Sequence, residues 1–198
     1  MLAAPLFLGG HPALDFLNTA FSPNDVEMEA IGDGRALLDW LVGAELLERA
    51  EADALLSRSG AKAMDVAAVK ARKLREQMRT WLQRWRVAPD RAYRTEIAVL
   101  NEVIAEGVWR HRLVAGAHGP QVVEQLEIKA VDALLPLLAW QIALLVTQEQ
   151  ASLIKQCAGS DCTLWFLDRT KAHRRRFCSA TACGNRAKVA AFRERQRQ

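Results

Sequence analysis

Cys157, Cys162, Cys178 and Cys183 are the only thiols in the 198-residue chain, and all lie in its last quarter. Four residues separate the members of each close pair, and fifteen separate the two pairs. Two close pairs with a connector of this length suit a tetrahedral four-cysteine zinc site, whose thiolates each approach the metal to roughly 2.3 Å. Gly159, Ser160 and Asp161 supply a compact turn inside the first pair. The connector TLWFLDRTKAHRRRF is expected to fold as a β-hairpin, with Trp165, Phe166 and Leu167 going out, DRTKAH at the bend and RRRF returning. Four sulfurs close the coordination shell, so the metal reads as structural, not catalytic. His173, at the bend among arginines, is expected to be exposed or to face phosphate. Disulfides, a redox thiol switch and an iron–sulfur cluster also use several cysteines. The basic context and the spacing favour zinc over them.

Charge is divided along the chain. From Leu153 onward there are eleven Lys/Arg against three acids, a net of +8, whereas the preceding 152 residues hold 16 bases and 20 acids, a net of −4. A basic end of this kind suits a polyanion. Arg174, Arg175 and Arg176 fall on the expected returning strand. Arg186, Arg193 and Arg197 share one face of a helix expected after Cys183, with Lys188 and Arg195 opposite and Val189 and Phe192 as a small apolar face. Such a helix can bridge two phosphate backbones or lie in a major groove. The alternatives are a solvated basic segment docked on the acidic remainder, and an RNA or protein partner.

The elements that must position this site are mostly helical. Pro12 suits the first turn of a helix through ALDFLNT. Asp33 is a plausible N-cap for a helix over 34–42, and another helix runs from Glu45 or Glu48 to Ser57. Residues 61–85 form the longest helical pattern, with Val66, Val69, Leu74, Met78, Trp81, Leu82 and Trp85 as its apolar face. Pro89 ends it, and Asp90 starts the next helix through Ile104. Alternation around GAHGP predicts a β-hairpin within 108–128. Residues 130–157 read as one strongly apolar helix that would join the body to the cysteines rigidly. No apolar run reaches the ~20 residues of a membrane span, and the first residues lack the basic segment of a secretory signal, so a soluble cytoplasmic protein is expected.

The segment from Cys157 to Arg197, with LWFLDRTKAHRRRFCS followed by ATACGNRAK, resembles the CGNR zinc-finger domain, which is named for a tetrapeptide present here as Cys183-Gly184-Asn185-Arg186. GGHPALDFLNT, from Gly9 to Thr19, resembles the start of the ABATE domain, which precedes such fingers in bacterial proteins described as stress-induced transcription regulators. The resemblance implies Cys157, Cys162, Cys178 and Cys183 as ligands of one structural Zn2+, and DNA binding by the finger.

The fold expected is mainly α with a β-hairpin: a helical regulatory domain over 1–150 and a treble-clef-like zinc module over 151–198. The function expected is transcription regulation through double-stranded DNA, with contacts from Arg174, Arg175, Arg176, Arg186, Lys188, Arg193 and Arg197. The alternative is an RNA-binding or protein-interaction module using the same basic surface. Residues 1–156 show no phosphate-binding glycine loop, dinucleotide fingerprint or nucleophile elbow, so no enzyme is expected. That region would sense a small-molecule effector or form a homodimer. Asp15, Asn18 and Thr19, at i, i+3 and i+4, would line an effector pocket or else tie down buried backbone beside the first helix.

Overall fold

The computed structural model describes residues 3–23, 26–117 and 119–197, so His118 in the expected hairpin turn lies outside the described residues. A short first helix, α1 (Pro12–Leu17), starts with Pro12 in its first turn, where no N–H is needed, and His11 Nδ1 accepts the Ala13 N–H at 3.1 Å. Two-residue strands β1 (Ala20–Phe21) and β2 (Met28–Glu29) pair behind it. In α2 (Gly34–Gly43), Asp33 caps the start by accepting the Ala36 N–H at 2.8 Å. Glu48 and Glu51 form a reciprocal capping box for α3 (Arg49–Ser59).

The long helix α4 (Ala61–Val87) organises the body. Its buried face runs through Met64, Ala67, Ala68, Ala71, Leu74, Met78, Trp81, Leu82 and Trp85, while Val66 and Val69, expected on that face, are exposed. The approach of α2 is set at position 34: a Cβ at Gly34 would lie 2.2 Å from Met64 Cβ, so glycine is needed where the two helices meet. Arg72, Arg75 and Arg79 project from α4 toward the chain's beginning. Arg72 donates to the Ile31 and Gly32 carbonyls, and Arg79 to those of Leu17 and Ala20. Arg75 is buried and bonded by both ends of its fork to Glu29, at 2.8 and 2.7 Å.

Helix α5 (Arg94–Ala105) begins four residues later than expected, because Pro89–Tyr93 is held as a turn: Tyr93 Oη donates to the Ala88 carbonyl at 2.9 Å. The expected hairpin is present as β3 (Trp109–Gly116) and β4 (Gly119–Leu126), in register from Trp109↔Leu126 to Gly116↔Gly119. Helix α6 (Leu134–Gln148) is the core helix. Val131–Gln148 is long and apolar enough to cross a membrane, with mean hydropathy 1.5, but only Asp132, Thr147 and Gln148 are exposed.

The chain departs from expectation after α6. The helix does not continue to Cys157; Glu149 takes an extended conformation (φ −113°, ψ 146°), and Ile154–Gln156 becomes strand β5. Its partner is β6 (Trp165–Leu167), in antiparallel register Ile154↔Leu167, Lys155↔Phe166 and Gln156↔Trp165. The hairpin is therefore closed across the Cys157–Cys162 turn, and RRRF forms no returning strand. A helix through 154–156 would leave the buried backbone of β6 without these partners.

Strand alternation sends the β6 side chains to two cores. Trp165 and Leu167 join the main core with Ile154, while Phe166 packs with Leu164, Cys157, Cys178 and Cys183. The helical body and the cysteine module thus share a strand, and the expected units 1–150 and 151–198 interlock past that boundary. The outer edge of β6 is filled from the N-terminal segment. Asn18 Nδ2 donates to the Trp165 carbonyl and Asn18 Oδ1 accepts the Trp165 N–H, both at 2.8 Å. Leu167 N–H donates to the Gly9 carbonyl at 2.8 Å.

Replacing Asn18 by Ala strips partners from both buried Trp165 backbone groups. The loss of stability should be about 3 kcal/mol, read from urea unfolding midpoints. Asn18→Asp should lose less only at pH values where it is protonated, because the O–H can then donate to the Trp165 carbonyl while the other oxygen accepts the Trp165 N–H; ionised, it has no donor and leaves a buried charge. Equal stability of wild type and Asn18→Ala would show that water replaces the amide.

Candidate metal centre and its basic helix

Each cysteine is placed by a local device. Cys157 follows β5 directly, its N–H donating to the Leu164 carbonyl at 2.8 Å, and the Cys162 N–H returns to the Gly159 carbonyl at 3.2 Å. Ser179 caps a one-turn π-helix, Ala180–Gly184, which brings Cys183 back beside Cys178. The four Sγ atoms all lie within 4.8 Å of one another. Cys162 and Cys178 are 3.7 Å apart, and Cys178 and Cys183 3.6 Å. Four sulfurs at roughly 2.3 Å from one zinc ion stand about 3.8 Å apart at the corners of a tetrahedron. A disulfide needs about 2.05 Å, so these are free thiols spaced for a metal.

Electrostatics points the same way. A hydrogen bond from Cys178 pulls the Cys162 thiol down to about 5, while that contact and burial push Cys178 up. Burial also raises Cys157. Four thiolates this close repel one another, and a divalent cation removes the conflict. Protein donors already face the sulfurs: the Cys178 N–H reaches Cys157 Sγ at 3.3 Å, and Arg186 Nη2 reaches Cys183 Sγ at 3.1 Å. Leu164, Phe166 and Phe177 pack around the cluster. The donor set fits one zinc ion with a closed shell. When bound, the ion crosslinks the two cysteine pairs.

Asp168, immediately after β6, was not anticipated. Its carboxylate is fully buried and accepts Lys155 Nζ at 2.6 Å, Thr170 Oγ1 at 2.6 Å and the N–H groups of Thr170 (3.1 Å) and Arg175 (2.9 Å). Burial alone would raise its pKa, but Lys155, Thr170 and Arg175 together hold it far below the ordinary carboxylate range. This hub folds the 168–175 bend, where His173 has φ +50° and is exposed. The signal was the lone acid between the apolar WFL and a basic run, which needs charged partners if buried.

The arginines divide by environment. Arg175 Nε donates to the Phe177 carbonyl at 3.0 Å, its Nη2 bonds the Cys178 carbonyl, and its guanidinium lies 4.3 Å from the Phe166 ring centroid. Arg175 and Arg186 thus serve the metal module itself. Arg174 and Arg176 are exposed, with the Arg176 guanidinium 5.7 Å from the Phe177 ring centroid. Helix α7 (Asn185–Arg197) buries none of its residues. Among the described residues, Arg174, Lys188, Arg193, Arg195 and Arg197 have no hydrogen bond or ion pair, so their charges face solvent.

Asp15, Asn18 and Thr19 are committed to the protein itself. Asn18 holds Trp165, Thr19 Oγ1 donates to the Phe16 carbonyl and accepts Arg75 Nη1, and Asp15 Oδ1 accepts the Gly9 N–H at 2.7 Å. Burial nevertheless lifts the Asp15 carboxyl to about 6, against hydrogen bonds from the Gly9 and Leu8 backbone.

Zinc analysis of the purified protein should return one ion per chain. Cys178→Ser should lose it and, because β6 lies in both cores, lower the melting temperature of the whole chain by about 10 °C. Helical circular dichroism melting as in the wild type would contradict that coupling. For Asp15, the folded chain holds its proton more tightly than the unfolded chain, whose carboxyl titrates near 4. Its stabilisation is complete below about pH 4 and is lost as pH rises through about 6. Across that window the wild type should lose about 1–2 kcal/mol relative to Asp15→Asn, the figure reduced for partial solvent screening. Parallel stability curves for the two proteins would refute this.

Comparison with known families places the site. The CGNR zinc finger matches residues 154–196, and ABATE, described as "Putative stress-induced transcription regulator", matches residues 10–149. No curated protein matches the chain. The chain belongs to the ABATE family and ends in a CGNR zinc finger, in which its four cysteines bind a single structural zinc ion.

Proposed function

We propose that this protein regulates transcription by binding double-stranded DNA through its zinc finger, with the helical body as a regulatory, non-catalytic unit that senses an effector or pairs two fingers. The observation carrying this reading is α7. It rises from the last zinc ligand, buries no residue, and presents Lys188, Arg193, Arg195 and Arg197 to solvent with Glu194 as its one acid. A helix of about 10 Å diameter fits the major groove, and its cations replace counterions condensed on phosphate. A hairpin closed across the first ligand pair, followed by the second ligand pair and a helix, is treble-clef-like, and Cys183 ties the start of α7 to the zinc site. Arg174 and Arg176 add exposed charge at the edge of the finger. Arg175 and Arg186 position this surface from within: one braces the Phe166–Cys178 segment, the other the Cys183 thiolate.

Fluorescence anisotropy on duplex DNA at several salt concentrations tests the proposal. Each lost phosphate contact lowers the slope of log K against log salt by about 0.9, so Arg193→Ala with Arg197→Ala should lower it by about two. An unchanged slope would reject α7 as the contact surface. Tighter binding to RNA, or to neither nucleic acid, would move the function to the RNA or protein reading.

A further inference from the structure

The residues of α7 sort by face. At about 100° of turn per residue, Asn185, Val189, Phe192 and Gln196 fall in one stripe about 60° wide. Lys188 and Arg195 border the stripe on one side, and Arg193 and Arg197 on the other. Ala187, Ala190, Ala191 and Glu194 form the back of the helix. A groove of about 400 Å³ separates α7 from the turn at 158–161, and Arg186, Ala187 and Ala190 line it. The back therefore faces the zinc module and the stripe faces away from it. Val189 and Phe192 are accordingly 41% and 56% exposed. Among the described residues, the amides of Asn185 and Gln196 have no hydrogen-bond partner.

A partner that covers Val189 and Phe192 must also meet cations on both sides of them, while the one acid of α7, Glu194, lies behind. The major groove of duplex DNA has this layout. Its floor of base edges runs between two rows of phosphates, in a channel about 12 Å wide that admits a helix of about 10–12 Å. Each row of cations then reaches one strand while the stripe meets the floor. Members of the stripe lie three or four residues apart, about 4.5–6 Å along the axis, so successive members meet different base pairs. Their chemistry suits one kind of pair. An amide side chain matches adenine N6 and N7, and an apolar one matches the thymine methyl group.

We propose that this stripe is the base-reading edge of the finger and that it selects A·T pairs. The Asn185 and Gln196 amides bond adenines, and Val189 and Phe192 pack on thymine methyl groups. Asn185 sets the register, because it follows Cys183 and Gly184 directly and is tied to the zinc site through them. Arg186 stands outside the stripe, with its guanidinium held on Cys183 Sγ at 3.1 Å. That duplex DNA is the partner rests on the reading of α7 given above. Which bases it selects is a separate matter, and the two can fail separately.

The test uses duplexes selected from a random library by the full-length, zinc-loaded protein, with affinity read by fluorescence anisotropy. The selected core should contain A·T pairs. Exchanging one thymine for deoxyuridine removes only the methyl group, and each thymine under the stripe should cost about fourfold in affinity. The double variant Val189→Ala with Phe192→Ala should be indifferent to that exchange. Exchanging one adenine for 7-deazaadenine should weaken the wild type about fivefold and leave Asn185→Ala unaffected. Both variants should keep the zinc content and the salt slope, since α7 buries no residue and the cations are untouched. A selected core without A·T pairs, or uracil sensitivity that survives in the double variant, would overturn the stripe and leave DNA binding in place. Failure to bind any duplex, or tighter binding to RNA, whose major groove is too narrow for a helix, would overturn both.

Discussion

Three residues of β6 hold this protein together. In an extended strand, successive side chains must point to opposite faces, and Trp165, Phe166 and Leu167 use that constraint to belong to two cores at once. Trp165 and Leu167 enter the helical body, while Phe166 lies among the zinc cysteines. One edge of β6 is paired by β5. The other cannot be left bare in a buried position, and the Asn18 amide and the Gly9 carbonyl occupy it. The N-terminal segment therefore exists in this geometry because the C-terminal module needs an edge partner. Around it, Asp15 ties to Gly9, and Arg75 grips Thr19 and Glu29. The GGHPALDFLNT motif reads physically as a clamp on the finger.

Zinc binding concentrates negative charge at one end of the molecule, and the fold answers it in layers. Four thiolates on a divalent ion carry a net negative charge. Arg186 meets Cys183 directly, and backbone N–H groups face the sulfurs. Asp168 adds a second buried anion, compensated by Lys155 and by the bend it organises. The basic composition of the last 46 residues thus has two destinations. Some cations neutralise the module's own sulfur and carboxylate, and the remainder, chiefly on α7, stand in solvent.

Much of this could be read from the chain beforehand, for physical reasons that differ between elements. The cysteine spacing specified the metal site because a tetrahedron of sulfurs tolerates few loop lengths. Asp33 marked the start of α2 through a local hydrogen bond, and alternation marked β3 and β4. What failed was long-range. Nothing local in residues 149–157 opposes a helix; the break comes from β6, whose backbone requires an extended partner. Val66 and Val69 fit a helical stripe, yet the buried face of α4 runs through Met64, Ala67, Ala68 and Ala71 instead. The arginine run was expected to alternate so that two of the three share a surface, and Arg174 and Arg176 are indeed exposed while Arg175 braces the Phe166–Cys178 segment, although no returning strand forms.

The break at Glu149 changes how the body could act on the finger. A continuous helix from Ala130 to Cys157 would have moved the zinc site as a lever. Instead α6 stops at Gln148, and the path crosses a short extended segment before β5. A change in the body reaches the zinc ligands through the packing of β6, by way of Asn18, Trp165 and Arg86, and through Leu6, Leu8 and Phe21, which pack on the cysteine cluster. These are discrete contacts that are either made or lost, and such contacts transmit by switching between two arrangements, not by bending. Helix α4 is placed to bias such an arrangement, since its C-terminal end sets Arg86 over the Trp165 indole of β6.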